Sequence, residues 1–137
     1  MYYYAILKKS DDVFLVSFPD FPNINTYGET QEDAIKNAEE ALNGAIASDF
    51  ERGFTLPKTS KIEKKNTVPI EVYPHIEIAY QLRKLRKTKT QVEIAHELGI
   101  SYQAYQKLEN PRKCNPTIKT LEKIGSILGT KLRIAFH

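Results

Sequence analysis

Hydrophobic and polar positions follow two different periods along this chain. Over residues 2–8 and 13–18 they alternate, with Ser10, Asp11 and Asp12 between as turn residues, which predicts a two-stranded hairpin. Pro19 and Pro22 interrupt pairing, so a third strand is expected at residues 24–27, just before Gly28. From residue 30 the period lengthens. Thr30 is placed to cap a helix, and Glu32 and Asp33 suit its first turn. Ile35, Ala38, Leu42, Ala45 and Ile46 then form a narrow, alanine-rich stripe suited to lie on a sheet. Gly53 closes this region, residues 56–67 read as an exposed, lysine-rich connection, and residues 68–73 predict a fourth strand. Pro74 separates this half from the next.

The carboxyl half keeps the helical period. Thr90 with Glu93 makes a capping box, Ile94, Ala95 and Leu98 form a stripe, and Gly99 supplies a helix stop. Ser101 caps a second short helix whose Tyr105 and Leu108 face inward, while Tyr102, Gln103, Gln106 and Lys107 face outward. Two short helices joined by a tight turn form the arrangement that places the second helix in the DNA major groove. The outward amides suit this, because a glutamine can bond two atoms of an adenine edge at once. A further helix spans residues 117–128 and stops at Gly129. Residues 131–136 alternate like a strand. A lone strand is marginal, so this one must pair with the amino-terminal sheet or with a second chain.

The run from Ile76 to Leu128 carries Leu82-Arg83, Arg86, Thr90-Gln91, Ile94-Ala95, Leu98-Gly99-Ile100-Ser101, Leu108-Glu109-Asn110, Asn115-Pro116 and Thr120-Leu121. It resembles the phage-repressor-like helix-turn-helix family. The resemblance implies that Gln91 braces against a phosphate at a helix N-terminus, where the dipole suits an anion. It implies base reading by Ser101, Tyr102, Gln103 and Lys107, beside which Gln106 is also exposed. It aligns Asn110, Arg112 and Lys113 with the loop that follows the DNA backbone, and it pairs Glu109 with a cation, Arg83, Lys84 or Arg86. Pro111 stands where the family usually has glycine, and Tyr102 is bulkier than the usual first reader.

The amino half carries Phe18-Pro19-Asp20-Phe21-Pro22 and the step Gly28-x-Thr30-x-x-x-Ala34 into its helix, within a β-β-β-α-β order. In this it resembles the HicB antitoxins, whose amino half is a truncated RNase H-like domain. The implied protein binds a small ribonuclease toxin, HicA, and represses its own operon. An RNase H-like fold raises the question of metal-dependent cleavage, which needs converging carboxylates. The first strand has none, Asp11 and Asp12 fall in a turn, Asp20 lies between prolines, and Glu29, Glu32 and Asp33 are explained by the helix start. No catalytic residue, metal or cofactor is therefore expected. His75, His96 and His137 are too far apart in sequence to suggest a ligand set.

Charge divides the 137 residues in the same place as the motifs. From His75 onward 12 Lys/Arg face 5 Asp/Glu, and before it 8 face 12, giving about +7 and −4. Two domains are expected, 1–73 and 74–137. The acidic half suits a basic partner, with Asp11, Asp12, Asp20 and Glu29 as candidate toxin contacts. The single Cys114 rules out an internal disulfide and suits a reducing compartment. No apolar run approaches the roughly 18 residues of a membrane span, and the first residues lack a basic leader and cleavage site. A cytoplasmic chain is the expectation.

The expected fold is α+β: a small sheet with one packed helix, a helical DNA-binding bundle, and a terminal strand. The expected function is an antitoxin that neutralises a HicA-like mRNA-cleaving toxin and binds operator DNA as a homodimer or higher even oligomer. The alternatives are a stand-alone transcriptional regulator with a ligand-sensing amino half, and a ribonuclease fused to a DNA-binding module.

Overall fold

Four strands, β1 (Tyr2–Ser10), β2 (Val13–Phe18), β3 (Phe21–Gly28) and β4 (Thr67–Glu71), pair antiparallel in the order β3-β2-β1-β4. The computed structural model describes residues 1–62 and 65–136. Lys64, one of the lysines of the connection, and His137 lie outside the described residues. By contacts the chain divides into two units, Met1–Pro74 and His75–His137.

In the first unit, side-chain alternation sends Tyr3, Ala5, Leu7, Val16 and Phe18 into the core, where helix α1 (Gln31–Glu51) covers one face of the sheet. The opposite face carries Tyr2, Leu15 and Tyr27, all exposed. β3 is longer than its sequence suggests and contains Pro22. It is an outer strand, so a missing N–H on its free side breaks no ladder bond, and the same holds for Pro69 in β4.

Gly28 explains how the helix lies so close. A Cβ there would come within 2.2 Å of the Ala34 backbone nitrogen, so only glycine admits this strand-to-helix step. Thr30 caps α1 by accepting from the Asp33 N–H at 3.1 Å. The buried stripe of α1 runs through Ala34, Ala38, Leu42, Ile46, Ala47 and Phe50, with Ile35 and Ala45 half-buried. The small residues, rather than Ile35, face the sheet where the backbones approach most closely.

Two further contacts close this unit. Asn43 is 2% exposed; its Nδ2 donates to the carbonyls of Glu39 and Glu71, and its Oδ1 accepts from the Tyr73 N–H at 2.7 Å. The connection after α1 is partly packed rather than wholly exposed. Leu56 is buried, the Tyr3 hydroxyl donates to the Pro57 carbonyl at 2.6 Å, and Thr59 Oγ1 donates to the Tyr2 carbonyl.

The second unit holds α2 (Pro74–Arg86), α3 (Gln91–Leu98), α4 (Tyr102–Leu108) and α5 (Ile118–Ile127). Its core is Leu82, Ile94, Ala95, Leu98, Tyr105 and Ile124. Helices this short are marginal alone, and each of the last three has a side-chain cap: Thr90, Ser101 and Thr117 accept from the N–H groups of Glu93, Ala104 and Thr120. Residues 131–136, expected as a strand, form none in the single chain, because no neighbouring strand completes a ladder there. Among the described residues no helix is long and apolar enough to cross a membrane.

Candidate nucleic-acid interface and partner face

The turn between α3 and α4 is fixed at both ends. Gly99 takes the left-handed conformation (φ 72°) and closes α3 through bonds to the Ala95 and His96 carbonyls. Ser101 starts α4 two residues later. Tyr105 is fully buried, which leaves Ser101, Tyr102, Gln103, Gln106 and Lys107 on the exposed side of the second helix. Gln106 Nε2 donates to the Tyr102 hydroxyl at 2.9 Å, one turn apart, so this pair holds itself in place. The Gln103 amide, by contrast, bonds to nothing among the described residues.

Behind the exposed row lies a buried ion pair. Of the three candidate cations, Arg86 meets Glu109: its Nε donates to Oε2 at 2.8 Å and its Nη2 to Oε1 at 3.1 Å. Glu109 is 5% exposed, so this is no solvated surface pair. The two-pronged geometry joins the end of α2 to the C-cap of α4. Arg86 Nη1 also donates to the Lys89 carbonyl at 3.0 Å, which ties down the loop before α3. Hydrogen bonding to Glu109 raises the Arg86 pKa above its ordinary value, against the opposing effect of burial. The Tyr105 hydroxyl is buried and makes no hydrogen bond of ordinary geometry among the described residues; burial, followed by the nearby Glu109 carboxylate, pushes its pKa far up.

Gln91 is drawn into the same group. Its Nε2 donates to Glu109 Oε1 at 3.2 Å, a contact that sequence reasoning, which aimed this amide at a phosphate, did not foresee. An amide nitrogen carries two hydrogens, so one is left to point outward. In the following loop Asn110 Oδ1 accepts from the Arg112 N–H at 2.9 Å, a local turn that Pro111, itself buried, packs beneath. Arg112 and Lys113 are exposed.

The four acidic candidates of the first unit do not form one patch. Asp11 and Asp12 occupy the β1–β2 turn, Asp11 with φ 52°, and Glu29 follows Gly28, which pairs with Phe14 near that turn. These three share one end of the sheet. Asp20 lies at the opposite end, in the β2–β3 turn, and its carboxylate accepts from the Ser60 N–H at 3.0 Å and from the Ser60 hydroxyl. Asp20 thus also holds the connection, apart from the other three candidates. What sequence reasoning passed over is the ladder pair Leu15 and Tyr27, 43% and 59% exposed. Beside Tyr27 opens a cleft of about 570 Å³ lined by Glu29, Asp33, Lys36, Asn37 and Glu40. The available signal was the alternation itself, which puts both residues opposite the core positions. Among the described residues no group of three His, Cys, Asp or Glu side chains could hold a metal ion.

Residues 2–73, more than half of the chain, match the family described as HicB-like antitoxin of bacterial toxin–antitoxin systems. The chain belongs to the HicB-like antitoxin family. Residues 80–134 of this HicB-like chain match the helix-turn-helix family. Antitoxin HicB 1 of Photorhabdus laumondii is 29% identical over 126 residues, covering 90% of this chain and 79% of the relative. An uncharacterised 14.9 kDa protein of Haemophilus phage HP1 is 36% identical over 64 residues, 47% of this chain and 48% of its own length. The N-terminal domain of Burkholderia pseudomallei antitoxin HicB, a crystal structure, aligns over 53% of this chain and 99% of its own at 28% identity, with a TM-score of 0.47.

Proposed function

We propose that this HicB-like chain is a non-catalytic cytoplasmic antitoxin that binds a HicA-like mRNA-cleaving toxin through its first unit. Its second unit represses the operon, with two copies, or a higher even number, on operator DNA. The observation that carries the DNA half is the unengaged Gln103 amide beside Lys107 on a helix braced by Arg86 and Glu109. A braced helix presents its side chains from fixed positions, and an amide without an internal partner can pair with a base edge. Gln91, held by Glu109, keeps one N–H for a phosphate, while Ser101, Tyr102, Gln106, Asn110, Arg112 and Lys113 flank the same surface.

On the toxin side, Leu15 and Tyr27 with Asp11, Asp12 and Glu29 combine an aromatic anchor with negative charge. That combination suits a basic, RNA-binding partner. Co-expression with the product of a neighbouring reading frame, followed by pull-down, tests this half; a well-folded chain that captures and inhibits no such toxin overturns it. For the DNA half, Gln103→Ala is expected to cost about 1–3 kcal/mol of discrimination at one position per half-site. Lys107→Ala should flatten the salt dependence by about one unit of slope. Half-sites should lie about 34 Å apart or a multiple of that. Equal binding of wild type to operator and scrambled DNA would sink the repressor half and leave the antitoxin half standing.

A further inference from the structure

The exposed side of α4 carries its polar side chains in two columns. Gln103 and Lys107 form one, and Tyr102 and Gln106 form the other, one step round the helix. The columns differ in how they are held. The Gln103 amide has no partner among the described residues, whereas Gln106 Nε2 donates to the Tyr102 hydroxyl at 2.9 Å. Tyr102 is 39% exposed, and the bond between the two side chains lies at the surface. Beneath them the buried Tyr105 and Glu109 fix the rotation of the helix.

That bond has a direction, and the direction limits what the hydroxyl can still do. A phenolic oxygen keeps its hydrogen near the ring plane, which leaves one good acceptor direction in that plane. Gln106 occupies it as a donor. The hydroxyl hydrogen is therefore turned away from Gln106, and the tip of Tyr102 presents a donor. On the major-groove edges, guanine N7 and O6, adenine N7 and thymine O4 accept a hydrogen bond, while cytosine shows only its N4 donor. A donor held against cytosine sets two donors face to face, and both go unpaired once water is excluded.

We propose that Tyr102 excludes cytosine at one position of the operator, and that Gln106 is the positioning residue that sets the polarity of its hydroxyl. This rests on the DNA-facing reading of α4 given above and assigns what its second column recognises. The free Gln103 amide can offer a donor and an acceptor together, and so selects one base. The engaged hydroxyl offers a donor alone, and so rejects one base. The first column chooses and the second vetoes.

Selection from a randomised duplex library by the full-length chain tests this. Preferences are read as ratios between sequences, so that a change in overall phosphate affinity cancels. The wild type should disfavour cytosine by about tenfold at one position, within the range of a single mismatched base pair. Tyr102→Phe keeps the ring and removes the hydroxyl, and should flatten that position alone. Gln106→Glu should reverse it. A carboxylate only accepts, so it takes the hydroxyl hydrogen, leaves the phenolic oxygen as an acceptor and favours the cytosine N4 donor. Glutamate can also accept from cytosine directly. The double variant, Tyr102→Phe with Gln106→Glu, separates the two routes: with no hydroxyl to reverse, the preference for cytosine should vanish. Both positions are exposed, so these variants should melt as the wild type does.

A cytosine exclusion that survives Tyr102→Phe overturns the proposal, and so does any Gln106→Glu result short of a reversal. A cytosine preference retained by the double variant overturns it as well. If Gln103→Ala relaxes one position while Tyr102→Phe changes none, the repressor reading stands and the Tyr102 assignment falls. A wild type that selects no sequence from the library defeats both.

Discussion

The two units are each closed by one buried polar residue, and the residues differ in charge. In the first unit Asn43, a neutral amide, clips the end of β4 to α1 through main-chain groups only. In the second, Glu109 does the corresponding work with a full charge, joined to Arg86 and Gln91. The first unit has a sheet whose ladders already satisfy its backbone, so a neutral clip suffices. The second has short helices, and it depends on caps and an ion pair to set the angle of α4. A buried charge is weak as a source of net stability but costly to leave alone. The DNA-facing unit is therefore more sensitive to the loss of one partner, while its geometry is more sharply specified.

Glu109→Ala is the strongest way to break this comparison. It strands Arg86 and frees Gln91, and should destabilise the second unit by about 3–5 kcal/mol in a denaturant titration. The first unit should unfold as before. A loss shared equally by both units would show that they do not behave separately.

Gly28→Ala tests the first unit in the same way. The backbone at Ala34 cannot retreat from a Cβ without moving the helix, so a loss of about 3 kcal/mol is expected, the upper part of the overpacking range. Asn43→Ala sharpens the contrast with Glu109. It removes partners from the Tyr73 N–H and the Glu71 carbonyl without leaving a charge, and a smaller loss of about 1–3 kcal/mol should follow. A loss as large as that of Glu109→Ala would contradict the distinction between neutral and charged clips.

The smallest effect concerns Cys114. Burial lifts its thiol to about 11 from an ordinary 9.0, so the folded state favours the protonated form. Below the ordinary value both states are protonated and nothing is lost. As the pH rises from there toward 11 the unfolded chain ionises first, and stability declines modestly. At pH 8 the folded chain should alkylate much more slowly than the unfolded one; equal rates would mean that the thiol is open to solvent.

Local chemistry was the legible part of the sequence. Thr30, Thr90 and Ser101 act as caps, Gly99 ends α3, and Tyr105 turns inward, because each depends on neighbours within one turn of chain. Partner choice across the chain was not legible. Arg83, Lys84 and Arg86 are equivalent as charges, and only the helix rotation selects Arg86. Asn43 looks like any helix asparagine until β4, nearly 30 positions away, supplies its partner carbonyl. Nothing near Asp20 in sequence shows that Ser60, 40 positions away, donates to its carboxylate. Alternation in the tail predicts a strand, but alternation describes which faces are apolar and does not provide a neighbour.

The prolines of the outer strands have a further consequence. β3 and β4 border the sheet, and Pro22 and Pro69 interrupt the row of donors that an incoming strand would use. Wherever chains are crowded, open sheet edges favour edge-to-edge growth into fibres. These borders make such growth unproductive, so crowded chains are kept from seeding aggregates through the sheets of their first units.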